Sequence, residues 1–194
     1  MIINTQLNDG TPICIRAVSK IDEQRLKDGI AKLSPQSRYL RFFSGMERPP
    51  QRVIDALVDV DGHDHIAWGA IRTDIESKPA LGVVHAFRDD DHPDTAEFSV
   101  AVLDEYHGLG LGRLLAAVIL LDCRREGLER LAVHILPNNR PALLFAKSLG
   151  GHETGNDTGD TEIEILIEEA ILTLQANNDI TGLGAVFAQF DAEQ

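Results

Sequence analysis

Cysteine is scarce: Cys14 and Cys123 are the two in 194 residues. One falls in a strand-like run and the other in a helix-like run, so neither a disulfide framework nor a zinc site is expected, and both thiols read as core residues. Positive charge is scarce too. Against 31 Asp and Glu stand 18 Lys and Arg, a formal net charge of -13, which excludes a nucleic-acid partner needing clustered Lys and Arg. The acidic balance suits a cationic acceptor such as an amine, and it equally serves plain solubility. Long apolar runs are missing: the longest uncharged one, residues 114–121, is far too short to cross a bilayer. The opening Met1-Ile2-Ile3-Asn4-Thr5 carries neither a basic n-region nor an apolar h-region. A cytoplasmic protein without a membrane partner is the expectation. No stretch rich in Pro, Gly or Ser divides the chain, and there is no internal repeat or low-complexity segment. The economical reading is one domain, residues 1–170, with a C-terminal extension over 171–194.

Glycine is where the sequence becomes specific. Tyr106-His107-Gly108-Leu109-Gly110-Leu111-Gly112-Arg113-Leu114-Leu115 sets three glycines at alternate positions between a strand-like run, 97–103, and a helix-like run, 114–126. Such glycines let the backbone turn sharply and approach a ligand closely, while the first free N–H groups of the helix and its dipole favour negative charge. The stretch reads as an anion cradle for a phosphate-bearing cofactor. Spacing excludes two of these. The dinucleotide pattern G-x-G-x-x-G fails, because its third glycine falls on Arg113 or on Leu115, and Gly112-Arg113-Leu114 is not the Gly-Lys-Ser/Thr of a P-loop.

Along the chain, residues 11–17 alternate as a first strand with Ile13 and Ile15 on one face, and Ser19-Lys20-Ile21-Asp22 reads as a capping box opening a helix to about Leu33. Ser34 as N-cap and Pro35 at N1 start a second helix, and Pro49-Pro50 start a third that runs to about Val60. Strands are expected over 66–73, 80–87 and 97–103. The helix after the cradle ends at Gly127 as C′, and a strand over 130–136 follows. Strand, helix and strand at this spacing make a right-handed βαβ unit whose two strands, the fourth and fifth expected, are parallel. A last core helix covers 139–149, closed by Gly150-Gly151. Residues 161–167 form a period-2 strand, and Leu183, Val186, Phe187 and Phe190 stand at helical spacing in the tail, an amphipathic helix that covers the domain's edge or makes a homodimer contact.

His107-Gly108-Leu109-Gly110-Leu111-Gly112 resembles the acetyl-CoA loop of the GNAT superfamily of N-acetyltransferases, Gln/Arg-x-x-Gly-x-Gly/Ala, with His107 in the Gln/Arg place. The order of elements from about 11 to 170 is similar to the GNAT fold, a mixed α/β, mostly antiparallel sheet flanked by helices. Two further stretches, Ser37-Arg38-Tyr39-Leu40-Arg41-Phe42-Phe43 and Asp59-Val60-Asp61-Gly62-His63-Asp64-His65-Ile66-Ala67, look like segments of the GNAT domain of bacterial protein-lysine acetyltransferases.

The resemblance implies acetyl-CoA as co-substrate, no metal, and an amine acceptor, a protein lysine first and a small cationic amine second. It implies that His107, Gly108, Leu109, Gly110, Leu111, Gly112 and Arg113 form the cradle. By offset, the N–H of Ala101 or Val102 polarises the acetyl carbonyl, with Val102, Leu103 and Asp104 along the pantetheine arm. Asn139, in Asn139-Arg140-Pro141-Ala142, takes the place of a cofactor-contacting Asn and equally reads as a helix cap. Glu97 takes the place of the general base. A lysine amine, with a reference pKa of about 10.4, arrives protonated and must be relieved of its proton, and burial by Phe98 and Val100 is expected to favour the base role. Ala146 stands where many members carry a Tyr acid; a thiolate, whose thiol pKa is about 8.5, leaves with water as the acid.

The histidines show no H-x-x-x-H or H-E-x-x-H on a helix, so a metal is not expected. His85, in the third expected strand, either belongs to the core or relays a proton beside Glu97. The acidic loops 89–94 and 157–162 either flank the acceptor mouth or are solvated. A second reading, from another class, is a GNAT-fold module that binds an acyl-CoA as a sensor without turnover.

Overall fold

The computed structural model describes residues 1–42, 46–155, 159–177 and 179–193. Its strands in chain order are β1 (Ile2–Gln6), β2 (Pro12–Ala17), β3 (His65–Arg72), β4 (Ala80–Arg88), β5 (Thr95–Val102), β6 (Arg130–Ile135), β7 (His152–Gly155) and β8 (Thr161–Leu166). They form one sheet in the spatial order β1-β2-β3-β4-β5-β6-β8-β7. Every neighbouring pair is antiparallel except β5 and β6. The parallel pair is therefore the fifth and sixth strands, not the fourth and fifth. The shift comes from β1, where the alternation buries Ile3 alone and leaves Ile2 exposed. Asp9-Gly10, with Gly10 at φ 86°, is the hairpin signal that marks it.

The helices are α1 (Glu23–Lys32), α2 (Pro35–Phe42), α3 (Gln51–Val58), α4 (Leu111–Arg125), α5 (Arg140–Ser148), α6 (Ile167–Gln175) and α7 (Leu183–Asp191). None of the described helices is long and apolar enough to cross a membrane. The punctuation is local and follows the sequence. Ser34 Oγ accepts the Ser37 N–H at 3.1 Å, the N-cap bond of α2. Gly127 and Gly150 close α4 and α5 at positive φ, and the amides after them, Leu128 and Gly151, return to Cys123 O and Ala146 O. Both ends are Schellman motifs. Strand β7 and helix α6 were not expected from sequence: β7 buries no residue fully, and Ile167, expected to end a strand, is instead the first residue of α6.

The sheet separates two apolar layers. α4, buried along its whole run from Leu114 to Leu121, packs with α6 and α7 against the face that carries Ile66, Trp68, Val84, Ala86, Ala96 and Phe98. A helix apolar all round is a core helix. α1 and α3 cover the other face, over Ala67 and Val83. Cys14 lies in β2 and Cys123 is buried in α4, where burial pushes its thiol up.

One contact gives a stability prediction. A Cβ on Gly151 would lie 2.7 Å from Ala146 O and 2.7 Å from Ile163 Cγ2. Backbone cannot yield as a side-chain tip does, so Gly151→Ala is expected to cost roughly 1–3 kcal/mol. Urea unfolding checks it; an unchanged midpoint would show that the β7 end of the sheet yields freely.

Candidate active site

β5 and β6 pair over three residues, Thr95 with Arg130, Ala96 with Leu131 and Glu97 with Ala132. β5 then stays with β4 as far as Val102, while β6 stays with β8 as far as Ile135. Each strand keeps its outer partner, so the two diverge beyond Glu97 and the sheet opens. Leu103 N–H donates to Leu81 O at 2.9 Å. Antiparallel alternation then turns the amides of Ala101 and Ser99 toward β4 and those of Val100 and Val102 toward the opening. Of the two amides left open by the sequence, Val102's is the one that faces it.

At the end of β5 the chain makes a short 3-10 turn, Asp104–Tyr106, and enters the cradle. Gly108 and Gly110 both have positive φ, 75° and 88°. α4 starts at Leu111, three residues before the run that sequence marked as helix, because Arg113 and Leu114 both donate to Gly110 O at 3.1 Å. Leu111 and Gly112 thus begin the helix, and as its first two residues their amides have no intrahelical acceptor. The cradle is backed from behind: Asn8 N–H donates to Leu109 O at 3.1 Å, a Cβ on Gly110 would lie 3.1 Å from Ile180, and one on Gly112 3.4 Å from Phe145 of α5. Space beside Gly108 is open.

The remaining predicted residues are distributed around this opening. His107 Nε2 lies 3.0 Å from Val102 O, so Nε2 carries the proton and the ring ties the cradle to the strand. Asn139 caps α5, its Oδ1 accepting the Ala142 N–H at 3.2 Å. Asp104 accepts from Ser34 N–H at 3.1 Å, Ser34 Oγ at 3.0 Å and Ser37 Oγ at 2.6 Å, which joins the start of α2 to the end of β5. Burial alone would raise its carboxyl, but the Ser37 and Ser34 bonds and nearby His107 outweigh that and hold it below the ordinary value. A depressed carboxyl stabilises the fold above its unfolded pKa, about 3.9, and that contribution fades as pH falls through the folded value. Asp104→Ala is expected to cost about 1 kcal/mol, as loss of a helix cap does, and to flatten the pH dependence of the melting temperature below about pH 4. Thermal melts from pH 7 to 3 on both proteins check it.

Glu97 stands at the last paired position before the opening, and it is exposed. The burial expected from Phe98 and Val100 is not there. Strand alternation sends both toward α4, while Glu97 shares the opposite face with Ser99 and Ala101. Ser99 pairs with His85 across β4 and Glu97 with Phe87. Onto this face α2 delivers Arg41, whose Nη2 donates to Ser99 Oγ at 2.6 Å. Burial pushes the guanidinium down to about 10, with Glu97 near enough to act against the shift.

The loop 59–67 explains itself here. Asp61 Oδ1 accepts the amides of His63, Asp64 and His65 at 2.8, 2.9 and 3.0 Å, which folds the turn that starts β3. His65 Nδ1 lies 3.0 Å from Asp59 O, so it is the donor. His65 Nε2 is then a lone pair, and His85 Nδ1, at 2.9 Å, must donate to it. That leaves His85 Nε2 as an acceptor, buried and without a hydrogen-bond partner. Burial first, then Arg41 and His65, hold His85 well below the usual imidazole range. Sequence reasoning named His85 but missed Ser99 and gave Arg41 no role. A pair of arginines three residues apart on one face of α2, Arg38 and Arg41, was the signal available.

Other sequence candidates lie away from this face. Asp89 accepts amides of its own loop and Asp94 pairs with Arg130, so the 89–94 loop folds on itself before β5. Phe43 of the α2 motif and Asp157 of the second acidic loop lie outside the described residues. Among the described residues no group of three His, Cys, Asp or Glu could hold a metal ion.

A glycine cradle at a helix start, set beside a sheet that opens between its one parallel pair of strands, is the architecture of an acyl-CoA N-acyltransferase fold. A family model for the acetyltransferase (GNAT) family matches residues 35–150, and the chain belongs to that family, whose members use acetyl-CoA. Over 163 residues it is 25% identical to acetyltransferase Pat of Mycolicibacterium smegmatis, covering 84% of this chain and 48% of that protein. Over 125 residues it is 26% identical to acetyltransferase PA5475 of Pseudomonas aeruginosa, covering 64% and 67%. The chain thus spans about half the length of the Mycolicibacterium relative. In fold it is similar to the GNAT domain of S. lividans PAT, with TM-score 0.78 at 22% identity over 85% of this chain and 96% of that one. It is also similar to a cAMP-binding acyltransferase from Mycobacterium smegmatis, with TM-score 0.60 at 19% identity over 96% and 56%.

Proposed function

We propose that this chain transfers the acetyl group of acetyl-CoA to a primary amine, a protein lysine first, with Glu97 as general base. The observation that carries the reading is the position of Glu97: an exposed carboxylate at the point where β5 and β6 part, on the strand that leads into the cradle. In this reading the free amides of the first turn of α4 hold the pyrophosphate, and the open space at Gly108 lets the backbone reach it. The pantetheine arm lies along the unpaired edge of β5. Glu97 takes one proton from the ammonium, directly or through a water, and the freed nitrogen lone pair attacks the thioester carbonyl carbon. Negative charge on that oxygen is met by the N–H of Val102 or Val100. The C–S bond then breaks, the nitrogen gives up its second proton to solvent to leave the neutral amide, and the thiolate takes its proton from solvent, since Ala146, buried in α5, has none to give.

The lysine acceptor is supported by the α2 and 59–67 segments, which resemble those of lysine-acetylating GNAT domains. The test is CoA release from acetyl-CoA, followed with a thiol reagent, across amines and lysine peptides. Turnover with a lysine peptide is the expected result. Turnover confined to small amines would replace the acceptor, and binding of acetyl-CoA by calorimetry without any turnover would overturn the transferase reading in favour of a sensor.

A further inference from the structure

A cavity of about 50 Å3 lies under α1, α2 and α3 on the Glu97 face of the sheet, several water-sized volumes. Its walls are mainly apolar, among them Leu26, Ile30, Leu57 and Val83. Three polar side chains line it: Arg25 from α1, which is paired with Asp22 at 3.2 Å, His85 from β4 and Arg41 from α2. His85 is 0% exposed, its Nδ1–H is committed to His65, and its Nε2 lone pair has no partner. Arg41 spends Nη2 on Ser99 Oγ, packs over the Phe42 ring at 4.9 Å, and leaves its buried Nε–H without an acceptor. One unpaired acceptor and one unpaired donor therefore belong to two side chains that line the same apolar space. Leaving such groups unmade costs about 1–3 kcal/mol each, so a ligand that pairs both is favoured by what it satisfies.

We infer that this cavity is a recognition subsite for a neutral group that both donates and accepts, a carboxamide or a hydroxyl, carried on an apolar stem by the acyl acceptor. The carboxamide N–H or the hydroxyl donates to His85 Nε2, and the oxygen accepts from Arg41 Nε–H. An ammonium pairs with His85 but meets the charges of Arg41 and Arg25, and Glu97 acts on Arg41 only from beyond ion-pair distance. A carboxylate pairs with Arg41 but sets its own lone pair against that of His85. The cation to be acetylated therefore belongs outside, at Glu97, and the cavity reads a neighbouring part of the same molecule. Calling the ligand the acceptor rests on the transferase reading; the chemistry of the subsite does not.

The test is a matched titration of the full chain, without acetyl-CoA, with isovaleramide, isovalerate and isoamylamine. It follows the nitrogen-15 resonance of His85 Nε2. The amide is expected to saturate and move that resonance toward the hydrogen-bonded position, about tenfold more tightly than either ion. His85→Phe and Arg41→Met should each remove the preference. Equal or tighter binding of the carboxylate or the amine overturns the inference. So does a His85 Nε2 resonance that is already hydrogen-bonded in the free protein and unmoved by the amide, which would mean that water closes the site. Because no acetyl transfer is measured, failure of this subsite leaves the transferase reading standing, and absence of turnover leaves the binding result standing.

Discussion

Glu97→Gln is expected to lower the rate of amine acetylation at neutral pH by roughly 10²–10⁴-fold, the usual range for loss of a positioned general base, while leaving acetyl-CoA affinity unchanged. The two halves of this expectation come from different parts of the structure. The cradle owes its shape to Gly108, Gly110 and the start of α4, with Asn8, Ile180 and Phe145 behind it, and none of these contacts involves Glu97. Proton removal has no comparable substitute on this face: Ser99 is engaged by Arg41, and His85 Nε2 is buried away from solvent. CoA-release kinetics with calorimetry on the same preparation separate the two. A variant that keeps its rate would move the base elsewhere, and one that loses acetyl-CoA affinity would show that Glu97 supports the cradle instead.

Removing residues 177–194 is expected to abolish stable folding. Ile180, Leu183, Val186 and Phe190 are all buried, and each such side chain contributes about 1.5–3 kcal/mol. Together they contribute roughly 6–12 kcal/mol, a quantity comparable with the whole stability of a domain, about 5–15 kcal/mol. α7 also returns polar contacts to α4, with Arg125 Nη2 donating to Phe190 O at 2.6 Å, and it sets Phe190 at 6.0 Å from Trp68. We propose on this basis that the tail is a cover for the α4 face, and that its loss reaches the cradle through Ile180, which backs Gly110. A graded version is Phe190→Ala, expected to cost about 3–5 kcal/mol. Circular dichroism and urea unfolding check both; a truncated chain that folds with an unchanged midpoint would make the tail an appendage.

The parts of this protein that were legible share one property: each is decided within a few residues. Ser34 and Pro35 open α2, Gly127 and Gly150 close their helices through bonds to carbonyls a turn away, and Gly108 and Gly110 turn the cradle through their own positive φ. The unbroken apolar run 114–121 names its own helix as the core. The parts that were not legible depend on partners far along the chain. β1 exists because its backbone pairs with β2, although it buries little. Phe98 and Val100 cannot bury Glu97, because alternation turns them to the other face.

By itself the sequence determined most of the elements and the cradle, because local hydrogen bonds, glycine torsions and apolar periodicity are properties of short segments, and its motifs carried the resemblance to the GNAT family. Only the tertiary structure decided where β5 leaves β6, which amide faces the opening, and that Arg41 meets Ser99 58 residues away while His65 meets His85 20 residues away. Periodicity says which face of an element is apolar. It does not say which element covers that face, or which polar atom is left inside without a partner.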